Sequence, residues 1–140
     1  MRLVLFDSSV YITSLRGGQD SLPALRQLRP AATLWLSSVV LEDLYAGAGP
    51  KDHAAIERLE RDFDRARRIL VPNLGDWVQT GRVLARLAAK HGYGQIGRGR
   101  LTNDALIAMS ANRLGLTVIT TDVRDFARLA EFSSFAWSVL

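Results

Sequence analysis

Apolar residues along this chain recur with two periods: short runs that read as strands, and longer stretches spaced three and four apart that read as helices. The first run is Arg2–Phe6, followed by a helix carrying Val10, Ile12 and Leu15, which Ser8 or Ser9 can cap and which should end at Gly17-Gly18. A short helix is expected near Leu22–Leu28, with Pro23 in its first turn. Thr33–Leu36 reads as a second strand, and Ser37-Ser38 caps a helix over Val39–Ala48 that Gly49-Pro50 ends. The longest pattern, Lys51–Arg68, repeats Ile56, Leu59, Phe63, Ala66 and Leu70 at helical spacing. Ile69–Val71 is a third strand stopped by Pro72, and Gly75-Asp76 opens a helix through Lys90 with Trp77, Val78, Val83, Leu84 and Leu87 as its buried candidates. A glycine-rich loop, Gly92–Arg100, leads to a helix over Thr102–Leu114. Strand Leu116–Thr120, a short helix Arg124–Ala130 and a last strand near Phe135–Leu140 close the chain.

Strands alternating with helices predict an α/β fold with a mostly parallel central sheet flanked by helices, in one domain spanning 1–140. In such sheets ligands collect at the carboxyl ends of the strands. Asp7 follows the first strand there and Asp122 follows the fourth, while Glu42 and Asp104 sit near helix starts. Four convergent carboxylates repel one another, and a hard divalent cation relieves that repulsion.

Composition narrows the choice. No apolar run approaches the ~20 residues of a membrane span, and the start lacks a signal-peptide pattern. There is no cysteine, which removes disulfide and thiolate chemistry and fits the cytoplasm, so any metal must sit on oxygen or histidine. A formal charge of +4 around an acidic pocket suits an enzyme acting on a polyanion.

Each candidate also has a plainer structural reading. Asp7 could cap the helix after its strand, but Ser8 and Ser9 can do so and leave its carboxylate free. Glu42 falls at the edge of a stripe of Leu41, Leu44, Tyr45 and Ala48, so it is expected to look inward and Asp43 toward solvent. Its plainer role is interaction with the helix N-terminus. Asp104 could serve a helix N-terminus too, although the small face of Ala105, Ala108 and Ala111 would let its helix approach the sheet closely. Asp122 directly follows a strand and is preferred over Asp125, which is held as an outer-shell residue.

Gly92–Gly97 spells G-x-G-x-x-G, yet a helix precedes it where a dinucleotide site needs a strand. A loop offering Arg98 and Arg100 to phosphate, or to solvent, fits better. Arg82, Arg86 and Lys90 form a basic row free of nearby acids in sequence and are candidates for nucleic acid. The row Arg58, Arg61, Arg65 and Arg68 is interleaved with acids that pair it. His53 and His91 show no metal spacing and read as surface residues.

The motifs Asp7-Ser8-Ser9, Ser37-Ser38-x-x-x-Glu42, Thr102-Asn103-Asp104-Ala105-Leu106-Ile107-Ala108 and Thr120-Thr121-Asp122-x-x-Asp125-Phe126 occur in this order. Together they resemble the PIN-domain family, and most closely its small VapC-type toxins. The resemblance implies an endoribonuclease dependent on Mg²⁺ or Mn²⁺, with Asp7, Glu42, Asp104 and Asp122 as catalytic metal ligands. It implies Ser8, Ser38, Thr120 and Asp125 around them and products with 3′-hydroxyl and 5′-phosphate ends. Its implied partners are an RNA substrate, a cognate antitoxin whose tail enters the site, and a second copy in a homodimer. Leu59 and Phe63 could line a groove for such a tail or belong to the core. A PIN-fold protein that only binds RNA, or a housekeeping RNA-processing nuclease, is the rival. An aspartyl phosphotransferase or receiver domain is disfavoured because Asp7-Ser8-Ser9 lacks a D-x-D acid and no lysine follows a later strand.

Overall fold

The computed structural model describes residues 2–17, 25–95 and 101–140. Its strands are β1 (Arg2–Phe6), β2 (Ala32–Ser37), β3 (Ile69–Leu70), β4 (Thr117–Thr120) and β5 (Trp137–Val139). They form one sheet in the order β3-β2-β1-β4-β5, and every pairing is parallel. Among the described residues six α-helices flank it: α1 (Ser8–Arg16), α2 (Ser38–Gly47), α3 (Pro50–Arg65), α4 (Leu74–His91), α5 (Leu101–Arg113) and α6 (Val123–Ala130). The α/β class and the parallel sheet are therefore as the pattern predicts. The last strand is present and pairs with β4 through Val118 and Trp137.

A parallel sheet is covered on both faces, so its central strands bury side chains of both parities. Val4, Leu5, Phe6, Val118 and Ile119 are all buried, and the helices meet them with Val40, Leu44, Ile56, Leu87, Ile107 and Phe126. Leu59 and Phe63 belong to this core. From β1 the chain first moves outward through β2 to β3 and then returns to the other side as β4 and β5. The order thus reverses between β1 and β4, where the connections leave the sheet in opposite directions and open a crevice at the strand ends.

Three details differ from the sequence pattern. Helix α3 stops at Arg65, and Ala66 is an exposed turn residue; Arg68 N–H donates to Phe63 C=O at 2.9 Å while Arg67 takes φ 57°, closing the helix end. Neither Ser8 nor Ser9 caps α1: Asp7 occupies the cap position without a cap hydrogen bond, because both serine hydroxyls are used elsewhere. In α4, Val83, Leu84 and Leu87 are buried as expected, but Trp77 is 55% exposed and Val78 43%. The first turns of α4 are anchored instead through buried Asp76, so the apolar side chains beside it face outward. The short helix expected near Leu22–Leu28 is described only from Leu25, where a 3₁₀ turn covers Arg26–Leu28; its start lies outside the described residues. No described helix is long and apolar enough to cross a membrane.

Candidate metal centre

Asp7 directly follows β1, and its backbone N–H donates to Ile119 C=O at 3.0 Å, extending the β1–β4 ladder into the crevice. Its carboxylate is almost wholly buried and held from two sides. Ser9 Oγ donates to Oδ1 at 2.6 Å, and Thr120 Oγ1, from the end of β4, donates to Oδ2 at 2.9 Å. The same hydroxyls knit the two strand ends together. Thr121 N–H and its hydroxyl donate to Ser9 Oγ at 3.1 and 2.8 Å, and Asp122 N–H donates to Thr120 Oγ1 at 2.8 Å. Burial pushes the Asp7 carboxyl above its usual range, the two hydroxyls oppose that, and the charge of Asp122 adds to it.

Asp104, in the first turn of α5, is only 4% exposed, and its Oδ2 has no hydrogen-bond partner among the described residues. Small Ala105 and Ala108, both fully buried, belong to the same helix, which packs on β4. Carboxylate oxygens of Asp104, Asp122 and Asp125 lie within 4.8 Å of one another. Burial first, then the charges of Asp7, Asp122, Asp125 and Asp43, push the Asp104 carboxyl up to about 8. Asp125 is raised as well, by burial and then by Asp122. A buried carboxylate oxygen without a donor is costly. A hard cation meets that need with oxygen ligands, so the donor set fits a divalent ion.

The acids of α2 are reversed from expectation. Glu42 is exposed, whereas Asp43 is half-buried, accepting from Ser8 Oγ of α1 at 2.5 Å and from Asn103 Nδ2 of α5 at 2.7 Å. Asn103 Nδ2 reaches Glu42 Oε1 only at 3.5 Å, which leaves Glu42 on the rim. The stripe of Leu41, Leu44, Tyr45 and Ala48 misled the wheel because α2 carries apolar residues on several sides. Its fully buried residues are Val39, Val40 and Leu44, and at roughly 100° per residue Asp43 falls inside their arc while Glu42 falls opposite. That narrower set was the signal available for Asp43. Ser9 stood in the motif, and Asn103 beside Asp104, without pattern-level reasons to prefer them.

Asp125, expected further out, stands with Asp104 and Asp122. Its backbone N–H is also 3.4 Å from Asp122 Oδ1, so Asp122 both caps α6 and faces the cluster. Ser8 and Thr120 lie in the network, while Ser38 opens α2 beside Ser37, whose Oγ accepts from Val39 N–H at 3.1 Å and caps the helix. The basic row on α4 is not free of acids in space. Lys90 pairs with Glu131 at 2.9 Å, as does His91, and Arg86 donates to Phe132 C=O at 3.1 Å. His91 and His53 are half-buried, the first against Phe132 and the second against Tyr45. Arg98, Arg100 and the end of the glycine-rich loop lie outside the described residues. Its beginning follows α4, with Gly92 at φ 98°, so no strand feeds it.

The PIN domain model matches residues 4–132. Over almost the whole chain the fold is similar to solved structures of moderate TM-score. A chain of the DNA-bound VapBC structure from Salmonella typhimurium is 21% identical with a TM-score of 0.69, covering 99% of this chain and 98% of that one. For VapBC2 from Rickettsia felis, bound to a DNA fragment from their promoter, the values are 19% and 0.65, with 99% and 98% covered. For VapBC-1 from nontypeable Haemophilus influenzae they are 23% and 0.61, with 98% and 97% covered. At these identities the likeness speaks for the fold. No curated protein sequence matches the chain significantly.

Proposed function

The chain belongs to the PIN-domain family, and on that premise we propose that it is a divalent-metal-dependent endoribonuclease acting as the toxin of a toxin–antitoxin pair. The observation that carries this reading is Asp104: a buried carboxylate with an unpartnered oxygen, grouped with Asp122 and Asp125 at the sheet's switch point. We read the whole chain, 1–140, as one such domain working in the cytoplasm.

Asp104, Asp122 and Asp125 would hold the ion, with Asp7 closing the inner side of the site. Bound Mg²⁺ or Mn²⁺ would lower the pKa of a water and neutralise a phosphoryl oxygen. Ser9 and Thr120 fix both oxygens of Asp7, so its carboxylate needs no reordering when substrate arrives. Asp43 ties α1 to α5 through Ser8 and Asn103, which sets the approach of the Asp104 helix to the β1 end. Glu42 would act from the rim, through water. Among the basic candidates Arg82 is exposed on α4 and would meet phosphate, whereas Arg86 and Lys90 are already engaged. Phosphate contacts of this kind position RNA without reading its sequence.

A protein partner follows from the same reading, since several neighbouring structures are of VapBC assemblies and one is of FitAB bound to a DNA fragment. A basic inhibitory tail would suit the acids at the crevice. Purified free of any partner, the folded protein should cut RNA on adding Mg²⁺ or Mn²⁺, leaving 5′-phosphate and 3′-hydroxyl ends, and its expression alone should arrest growth. Intact RNA with both ions would remove the nuclease reading in favour of an RNA-binding PIN protein. Cleavage without growth arrest would remove only the toxin.

A further inference from the structure

Along α3 acids and bases alternate in sequence, which reads as a set of neutralising pairs such as Glu57 with Arg61. In space they separate. With Arg58 at 0° on a wheel of roughly 100° per residue, Lys51 falls near +20°, Arg65 near −20° and Arg61 near −60°. These four cations and Ala54, all exposed, fill an outward arc of about 80° that holds no acid, away from buried Ile56, Leu59 and Phe63. Glu57, Glu60 and Asp64 fall on one flank, where Glu60 Oε1 accepts from the Tyr45 hydroxyl at 2.7 Å. Asp62 borders the other flank and lines a cavity at the end of the helix. Among the described residues none of the four cations makes an ion pair or a side-chain hydrogen bond.

We infer that this ridge is a contact for the phosphate backbone of RNA, apart from the metal centre; the choice of RNA as the polyanion rests on the ribonuclease reading. Helix α3 packs on α2 and β2, whereas the clustered acids stand on α5 and at the ends of β1 and β4.

The make-up of the arc selects this occupant. Protein interfaces and membrane-surface helices need bulky apolar anchors, and here alanine is the largest apolar side chain. Three of the four cations are arginines, whose planar fork matches phosphate oxygens. From Lys51 to Arg65 the ridge runs about 21 Å at 1.5 Å per residue. That is the length of roughly six phosphates at ~3.4 Å along a helical strand, so the ridge suits a chain of phosphates better than a single anion. The turn that closes α3 adds two more exposed cations, Arg67 and Arg68. Arg67 holds φ 57°, a conformation that glycine takes more easily, so a cation stands where the backbone alone would favour none.

Binding can be read without cleavage, by fluorescence anisotropy of a labelled single-stranded RNA longer than the ridge, with the full chain in EDTA. Arg61→Gln with Arg65→Gln should weaken binding about tenfold near 0.1 M salt and reduce the steepness of log affinity against log salt by about 1.4, at ~0.7 per lost phosphate contact. Arg2→Gln with Arg16→Gln alters net charge equally at exposed positions off α3, and should stay within about twofold because dispersed surface charges are screened. Circular dichroism and thermal unfolding should match the parental chain for both pairs. A parental chain that binds no RNA overturns the inference, as does equal weakening by the two pairs or an unchanged salt slope. Ridge-dependent binding by a chain that cuts nothing with Mg²⁺ or Mn²⁺ keeps the ridge and sinks the nuclease reading. Cleavage by a chain whose binding ignores the ridge does the reverse.

Discussion

Two aspartates in this molecule are buried to the same degree and live opposite lives. Asp76 and Asp104 are each 4% exposed, each in the first turn of a helix. Asp76 is saturated. Arg113 Nε donates to both its oxygens at 3.1 and 2.9 Å, and Asn73 N–H donates to Oδ2 at 2.9 Å within a capping box. Among the described residues Asp104 has no donor for Oδ2, and four further carboxylates raise its pKa. Burial alone therefore does not mark a candidate metal ligand. What marks it is burial without a protein partner, a state stable only with a proton or a cation in place.

That contrast predicts opposite outcomes for paired substitutions. Asp104→Asn should lower RNA cleavage on the order of 10³-fold, because charge stabilisation by a held ion contributes several kcal/mol to such a reaction. Its stability without metal at neutral pH should hold, since the Asp104 carboxyl, pushed up to about 8, is already largely uncharged there and asparagine keeps a neutral side chain of the same shape. Asp76→Ala should do the reverse, costing about 2–4 kcal/mol in urea unfolding because it strands Arg113, itself 34% exposed, and one cap N–H. The folded fraction of that variant should cleave within about threefold of the parental rate, since Asp76 stands on Asn73 and Arg113, outside the group of Asp104, Asp122 and Asp125. If Asp104→Asn unfolds the protein, or Asp76→Ala abolishes cleavage in folded protein, the distinction between the two sites is wrong.

The sequence makes these regions legible to different extents, for physical reasons. Asp7 and Asp122 are visible because strand ends in a parallel sheet are places of known chemistry, and the strand runs β1 and β4 are unbroken. Asp104 is visible through the small face of its helix. Asp76 gives no comparable signal, because its meaning depends on Arg113, 37 residues away along the chain. Trp77 and Val78 read as core since helical periodicity reports an apolar face, not whether the fold buries it, and here they are 55% and 43% exposed. Asp43 is hidden by the all-round apolar character of α2, and Ser9 by the fact that hydroxyl networks have no sequence period.

A smaller effect follows from protons. The Asp104 carboxyl rises from 3.8 in the unfolded chain to about 8 in the folded one, so the folded state binds the extra proton between those values. Stability without metal should therefore fall as pH rises from about 4 toward 8 and level off above it. The raised Asp7 and Asp125 act in the same direction. Because a divalent ion would bind the ionised form, thermal stabilisation by added Mg²⁺ should be larger at pH 8 than at pH 5. Asp104→Asn should flatten both trends, whereas a rise in metal-free stability across this range in the parental chain would show that Asp104 is not held protonated.

The finest test separates the neighbours on α2. Asp43 is half-buried, takes hydrogen bonds from two other helices and adds its charge to that felt by Asp104; Glu42 is exposed and among the described residues meets Asn103 alone, at 3.5 Å. Substitutions behind a metal site typically cost 10–100-fold in affinity or activity, so Asp43→Asn should fall about tenfold in Mg²⁺ affinity measured by titration calorimetry. Glu42→Gln should stay within about threefold, because an exposed rim charge is screened and replaceable by water. The reverse order would mean that α2 turns when the ion and RNA bind, bringing Glu42 inward, and that the pattern of its apolar stripe describes the loaded protein better than the arrangement seen here.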